Sequence, residues 1–582
     1  MSETHAPGRH RRTWRLLSVV LALGLIAAAC GDDGGGESSG TGDETITNET
    51  VEADVDEVST GGELVVGLEA ETNSWLPGKG SFASPGVNAA RAMYDSIAAR
   101  GADGQVYPLL AESITSNEDL TEWTVALREG ITFHDGTPLD AATVKANYDE
   151  YLNIPTSTVV GNLTQVSEFR IDDELTYTYV LAEPNVAFPD LLTGSIGYPF
   201  SIEACRAAGE ACGDNPVGAG PFKFVSWQRD GELVLERYEG YWRTDENGIQ
   251  LPYLDRLVFR PIPDESSRVQ SALAGDIEVG QTLRQATVRT VRDSVDDGDL
   301  QSFEFIGNNG GGAIFNVLKP PVDDQRVRLG IAHAVQQDVL VQILGGEGIT
   351  PPQTQYFSES SPWYSAAVAE AWPGYEPDRA QALLDEYVND PDRSDGKAPG
   401  EPISIDFNCP PDPTLVQVSQ GYQSMLQAVG VEVNLNQVEQ ATHIANAIGA
   451  DSNPPFSGNY IVNCWRMGGQ EDPFITLSQA FGDPATSAVN FTNYTSATVD
   501  ENLAILGTTT DLDERYAAVE AIMLEFTEQV PNMWTGGTAT ALFATLQVRN
   551  LAGWTIPVGD EEVPGEGAAE AQTYWAQVWL EQ

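Results

Sequence analysis

Residue types that commonly do chemistry are sparse in this chain. Its 582 residues hold five histidines, and His5 and His10 lie in an N-terminal basic stretch. His134 sits in Phe133-His134-Asp135-Gly136, which reads as a turn; His333 falls within a helical apolar stripe; His443 stands alone. None belongs to an H-E-x-x-H pair, where two imidazoles on one helix face would hold zinc. Gly36-Glu37-Ser38-Ser39-Gly40 matches the expression of a nucleophile elbow, yet it lies in a polar tract with no strand and helix to build the strained turn. Gly307-Asn308-Asn309-Gly310-Gly311-Gly312 is the most conspicuous loop of the body. No Lys-Ser or Lys-Thr follows it at phosphate-loop spacing, so it reads as a chain crossing between domains, where glycines absorb backbone rotation. The carboxylates, 86 in all, are too many for any one pair to be informative. No catalytic centre, metal site or cofactor is expected.

The elements around these residues alternate between strand and helix. Glu63 to Leu68 opens the body as a strand. Trp123, Val125 and Leu127 alternate with polar neighbours, as do Tyr177, Tyr179 and Leu181, which is the period of half-buried strands. Thr137-Pro138-Leu139-Asp140 predicts a helix start, with Thr137 as cap, Pro138 in the first turn and Asp140 at the positive end. A long helix is predicted over 323–344, where Val327, Ile331, Val335, Val339 and Ile343 recur every four residues until Gly345-Gly346. Further helices are predicted over 414–429 and 513–529, and Val431, Val433 and Leu435 alternate as a strand between them. The fold class is mixed α/β, and a body of more than five hundred residues calls for at least two domains.

The N-terminus indicates export. Arg9, Arg11, Arg12 and Arg15 precede an apolar run from Leu16 to Ala29. As a helix this run rises about 21 Å, short of the roughly 30 Å hydrocarbon core, which describes a secretory signal and not a span. Ile26-Ala27-Ala28-Ala29-Cys30 resembles the lipobox of bacterial lipoproteins, with Ala27 where that pattern more often has leucine. The resemblance implies cleavage after residue 29 and lipidation of Cys30; an ordinary secretory signal is the alternative. Arg11-Arg12-Thr13-Trp14 leaves both general and twin-arginine export open. Residues 30–60 are rich in Gly, Ser, Thr, Asp and Glu, a disordered acidic tether that would hold a folded body off a bilayer.

The formal charge is −56; removing residues 1–29 takes away four arginines and one glutamate, leaving 26 basic against 85 acidic residues, or −59. Nucleic acid and anionic membrane surfaces would repel such a body. Four cysteines remain beyond Cys30. In an exported chain Cys205 and Cys212 suggest a local disulfide, and Cys409 and Cys464 could form a second.

Several segments together resemble the family 5 extracellular solute-binding proteins, the dipeptide, oligopeptide and nickel receptors of ABC importers. They are Ala92-Met93-Tyr94-Asp95 through Tyr107-Pro108-Leu109-Leu110-Ala111-Glu112-Ser113; Leu127-Arg128-Glu129-Gly130-Ile131-Thr132-Phe133-His134-Asp135-Gly136-Thr137-Pro138; and Asn215-Pro216-Val217-Gly218-Ala219-Gly220-Pro221-Phe222 with Tyr241-Trp242. Phe315-Asn316 with Asp324-Gln325-Arg326-Val327-Arg328, and Asp472-Pro473 with Glu514-Arg515, continue the series in the family's order. The resemblance implies a two-lobed periplasmic-binding-protein-like clamp. Lobe I would hold 61–305, with an extra subdomain over about 83–199, and the return 535–582; lobe II would hold 306–534. It implies a monomeric receptor that binds a small-molecule or peptide ligand and delivers it to ABC permease subunits, held to the membrane through its lipid. A secreted hydrolase or a surface-attached structural protein is the rival reading.

Peptide-binding members hold the ligand's α-amine with an aspartate shortly after the tryptophan of the segment preceding Asp-Pro. Here that segment reads Cys464-Trp465-Arg466-Met467-Gly468-Gly469-Gln470-Glu471-Asp472-Pro473, and both positions that alignment offers, 468 and 469, are glycine. The ligand-binding candidates are therefore Trp465, Arg466, Glu471, Asp472, Glu69 and Asn309. The ligand is expected either to lack a free α-amine in that pose or to meet Glu471 or Glu69 instead.

Overall fold

The computed structural model describes residues 58–582 except 81, 155–156, 450–451, 454–456, 467–471, 485–486, 488, 560 and 582, and describes the backbone alone at 161, 308–310, 440, 441 and 466. The signal segment, Cys30, the tether up to residue 57 and Glu471 lie outside the described residues.

Alternating apolar side chains make the strands. β1 is Glu63–Leu68. A four-stranded antiparallel sheet follows from β2 (Ala111–Ser116), β3 (Glu122–Leu127), β4 (Val166–Ile171) and β5 (Thr176–Leu181), in the order β2-β3-β5-β4. Trp123, Val125 and Leu127 of β3 point to one face and are buried, as the period of two requires. β6 (Phe222–Trp227), β7 (Leu233–Arg237), β8 (Arg256–Pro261) and β9 (Val279–Thr282) then join β1. The chain continues through β10 (Leu300–Phe315), β11 (Ile403–Cys409), β12 (Val431–Gln437), β13 (Val462–Arg466) and β14 (Asn532–Thr545). These make one ten-stranded sheet, β12-β11-β13-β10-β14-β9-β1-β8-β7-β6.

Two large apolar cores lie along this sheet. The first gathers Leu64, Val66 and Leu68 of β1, the inner face of the four-stranded sheet, and Leu542, Ala544 and Trp575 from the C-terminal part of the chain. The second gathers Ala313, Ile314 and Phe315 of β10, Phe407 of β11, Val462 of β13, and Met533 and Trp534 of β14. β14 thus feeds the second core from its start and the first core from its end. β10 pairs antiparallel with it from Leu300 to Ile306 and again from Gly310 to Ile314, with register shifts between Ile306 and Gly310 and between Gly311 and Gly312. Where the strands pass from one core to the other, two facing pairs are glycine on both sides, Gly310 with Gly537 and Gly311 with Gly536, and Gly312 then faces Trp534. A Cβ on Gly312 would run into the Met533 carbonyl, so the close approach needs glycine there.

Three sequence expectations are corrected. The Gly307–Gly312 segment is not a loop but the middle of β10, because its partners on β14 and β13 supply the ladder that its missing side chains cannot signal. The helix expected to start at Thr137 is α1, Ala141–Asn153, capped by Asp140, whose Oδ1 accepts the Thr143 N–H at 2.7 Å. Thr137 instead donates its hydroxyl to Asp135 at 2.6 Å and stays in the turn that holds His134. The helix expected over 323–344 is two, α2 (Gln325–Ala334) and α3 (Gln337–Ile343). Val335 between them is extended, at φ −94° and ψ 123°, and the His333 carbonyl near the break accepts from the Glu376 N–H at 2.9 Å. The stripe persists because Val335 and Leu340 face the same core on both sides of the break. The two later helices predicted from their stripes form there, α4 as Pro413–Ala428, closed by Gly430 at φ +81°, and α8 as Leu512–Gln529; α5 (Gln440–Ile448), α6 (Pro473–Phe481) and α7 (Ala497–Thr508) were not predicted.

The structure pairs Cys205 with Cys212, Cα atoms 4.6 Å apart, and Cys409 with Cys464, 5.3 Å apart across neighbouring strands. Both separations suit a disulfide. Among the described residues no helix is long and apolar enough to cross a membrane, and no cluster of three or more His, Cys, Asp or Glu could hold a metal.

Candidate functional site

In open α/β sheets ligands bind outside the carboxyl ends of the parallel strands, where the strand order reverses. β1 is such a place. It runs parallel to β8 on one side and to β9 on the other, and the chain visits β8 before crossing to β9. Glu69 follows the last residue of β1. Its Oε1 lies 3.7 Å from Nη2 of the half-exposed Arg284, just past β9, while Oε2 is buried without a partner. A buried acceptor without a donor is costly, so this oxygen is suited to receive one from a ligand.

In the second core, β11 and β13 also run parallel and end at Cys409 and Arg466. Trp465 lies opposite Gly312 of β10, and Arg466 opposite Gly311. The Trp465 ring stacks on His443 of α5 at 5.6 Å and 24°, and meets Phe491 edge-on at 4.5 Å. His443 donates Nε2–H to the Cys464 carbonyl at 3.1 Å, leaving Nδ1 buried without a partner. Burial pushes the imidazole's pKa down against the pull of that carbonyl, so the ring stays neutral at pH 7. Trp465 is therefore a braced wall, half in the core and half at its edge.

The sequence candidates separate into three places. Trp465, Arg466 and Asn309 converge on the glycine crossing, Asn309 standing two residues before Gly311 on the same strand. Glu69 stands at the end of β1. Asp472 caps α6: Oδ1 accepts the Phe474 N–H at 2.9 Å and also pairs with Arg515. Its carboxylate is thereby engaged in holding the helix. Two polar residues at the crossing had no signal in the sequence. His443 looked solitary because its partner is 22 residues away on a strand. Gln353 is buried, both polar atoms of its side chain lack partners, and Nε2 lies 3.4 Å from where a Cβ on Gly537 would be.

A clamp built on one sheet, with unpartnered polar groups at its carboxyl ends, is suited to holding a molecule. The family model for bacterial extracellular solute-binding proteins, family 5 Middle, matches residues 105–488. The chain belongs to this family. Family 5 proteins bind solutes outside the cytoplasm for ABC import and are not enzymes, and that is the role of this chain. Among curated family 5 relatives, the glutathione-binding protein GsiB of Salmonella paratyphi A (strain ATCC 9150 / SARB42) is 23% identical over 483 residues, 80% of this chain and 87% of the relative. GsiB of Escherichia coli (strain K12) is 24% identical over 481 residues, with the same coverage. The fold is that of solved periplasmic binding proteins. HbpA2 from Haemophilus parasuis superposes with a TM-score of 0.72 at 18% identity, covering 90% of this chain and 100% of that one. The binding protein AgaA from A.tumefacien R10, solved with agropinic acid, gives 0.68 at 22% identity, covering 90% and 99%.

Proposed function

We propose that this family 5 protein is a monomeric, lipid-anchored receptor whose two lobes close on a small peptide-class solute and pass it to an ABC permease. Lobe I is 61–305, including the subdomain over about 83–199, with the return 535–582; lobe II is 306–534. The observation that carries the reading is the passage of β10 and β14 between two cores through facing glycines, Gly310 and Gly311 against Gly537 and Gly536. Few side chains resist rotation there, and a hinge needs only a few such residues. Cys30 supplies the anchor, and the acidic tether the reach.

Within the cleft, Trp465 provides an aromatic wall, Arg466 and Asn309 polar contacts from the crossing, and Glu69 an acceptor from lobe I. Asp472 is withdrawn from this set by its helix cap and by Arg515. With glycine at 468 and 469, the ligand does not place a free α-amine after Trp465, and a donor group of the ligand meets Glu69 instead. Glutathione, for which the GsiB relatives are named, is the first compound to try.

Thermal melting tests this directly. Ligand at 100 times its Kd stabilises by about 2.7 kcal/mol, an easily read shift. Reduced glutathione and short peptides are compared with their N-acetylated forms. The reading predicts stabilisation that survives acetylation and is lost in Glu69→Gln. Stabilisation abolished by acetylation and untouched by Glu69→Gln would overturn the proposed pose.

A further inference from the structure

The two cores also meet away from the glycine crossing, at a buried patch between residues 186–190 and residues 472–475 and 507. Three contacts converge there. The Val186 N–H donates to the Gly507 carbonyl at 3.0 Å. The Asp472 N–H donates to Asp190 Oδ2 at 2.6 Å, across 282 residues of sequence. Ile475 of α6 packs into the first core although its neighbours Leu477 and Phe481 belong to the second, and Phe474 touches both.

Each acid has an arginine on its own side. Asp190, in the 3-10 turn Phe188–Thr193, pairs with Arg100 through Oδ1. Asp472 pairs with Arg515, whose guanidinium lies 5.3 Å over the Trp363 ring. The order is therefore Arg100, Asp190, the Asp472 amide, the Asp472 carboxylate and Arg515. Asp190 is 5% exposed, and a carboxylate so placed is tolerable only when its oxygens are paired. Arg100 satisfies one oxygen from within the first core; the other is satisfied only from the second. Burial raises the Asp190 pKa, while Arg100 and then the Asp472 N–H pull it back toward the charged form.

We propose that Asp190 is a closure-positioning residue: held by Arg100 on lobe I, it accepts the Asp472 N–H of lobe II only when the lobes are together. Closure thereby fixes the end of the segment that begins at Trp465. Asp190 touches no ligand and acts through Asp472. The inference rests on the two-lobe reading, and it asks why Val186, Asp190 and Ile475, all within one patch, reach the other lobe while keeping their own partners. A hinge alone explains none of these contacts. A hinge with a latch explains all three, since each is made on closing and lost on opening.

Hydrogen exchange of the full chain tests it, because two of the three contacts are amides. In the wild type, Val186 and Asp472 should exchange through lobe opening, faster than the amides of β1 and β11, which need unfolding. Asp190→Ala should accelerate Val186 and Asp472 together by about tenfold or more, with β1 and β11 unchanged, since losing a charged acceptor weakens the closed state. Asp190→Asn keeps an acceptor oxygen and should accelerate them less. Acceleration at Asp472 alone would make Asp190 a local partner and overturn the proposal. Acceleration of every amide in both cores would make it a folding residue and overturn it as well. If Val186 and Asp472 exchange no faster than β1 and β11 in the wild type, the lobes do not open, and it is the hinge reading that fails.

Discussion

The two cores satisfy their buried polar groups in different ways. The first buries charge and ties it over long stretches of chain. Asp95 accepts from the Tyr241 hydroxyl at 2.9 Å and from Trp242 Nε1–H at 2.8 Å, 146 and 147 residues away. The Arg91 guanidinium lies 4.4 Å over the ring of Tyr574, and Asn88 holds the backbone of Ala571 and Thr573. The second core draws its partners from within its own stretch: Arg328 reaches the Gln529 carbonyl and Arg515 reaches Asp472, with a row of amides and a short loop beside them. Asn436 donates to Asn408 at 3.0 Å, and Asn408 to Asn463 at 3.1 Å, in one row across β12, β11 and β13. Its buried Arg393 is neutralised by Asp395, two residues on. The first core therefore depends on the last forty residues of the chain, while the second is assembled from within its own stretch and stapled by Cys409–Cys464.

The largest effect expected from this contrast is at the C-terminal return. Trp575 is fully buried, meets the Phe259 ring edge-on at 5.5 Å and donates Nε1–H to the Asn88 carbonyl at 2.8 Å, both partners more than three hundred positions away. Trp575→Ala should cost about 3–5 kcal/mol in denaturant unfolding. By hydrogen exchange the loss should fall first on β1 and β8, with β11 and β12 protected longer. Equal loss in both cores would erase the contrast.

A smaller effect is expected from the staples. Replacing Cys409 and Cys464 by serine should cost about 2–4 kcal/mol and act on the second core, whereas replacing Cys205 and Cys212 should cost less. The first pair closes a separation of 55 residues and the second only 7, so the longer loop restrains the unfolded chain more.

The smallest effect concerns pH and the first core alone. Burial pushes the Asp95 carboxyl up to about 6, against the hydrogen bonds from Trp242 and Tyr241 and the charge of Arg243. The folded state then holds a proton that the unfolded chain, at about 3.9, gives up. Its contribution is full below about pH 4 and is lost as pH rises through about 6. The stability difference between wild type and Asp95→Asn, read by denaturant at pH 4, 5, 6 and 7, should move against the wild type across that window and level off above it. No change across the window would show that Asp95 stays ionised throughout.

Much of this was legible in the sequence, and the gaps have physical causes. Strands β1, β3 and β5 and helices α4 and α8 were readable because one face of each meets a core, so the apolar period survives in the residues. The break at Val335 was not readable, since periodicity reports which face is buried and is blind to a change of helix axis. The glycine tract looked like a loop because residues without side chains carry no alternation; its strand character comes from β14 and β13. For the candidate site, Trp465 and its neighbours were singled out by motif order. His443, Gln353 and Asp190 were not, because each gains meaning only from a residue that the fold, and not the chain, brings near.

This molecule captures a solute and leaves it unchanged. Mass spectrometry of small molecules released on denaturing protein purified from its own cells tests this most directly. The expected spectrum holds a small polar solute in near-stoichiometric amount, absent from a mock purification, and recovered unaltered when the emptied, refolded protein is exposed again to the cell's soluble extract. A spectrum matching the mock in both preparations, or recovery of the solute only as cleavage products, would contradict it.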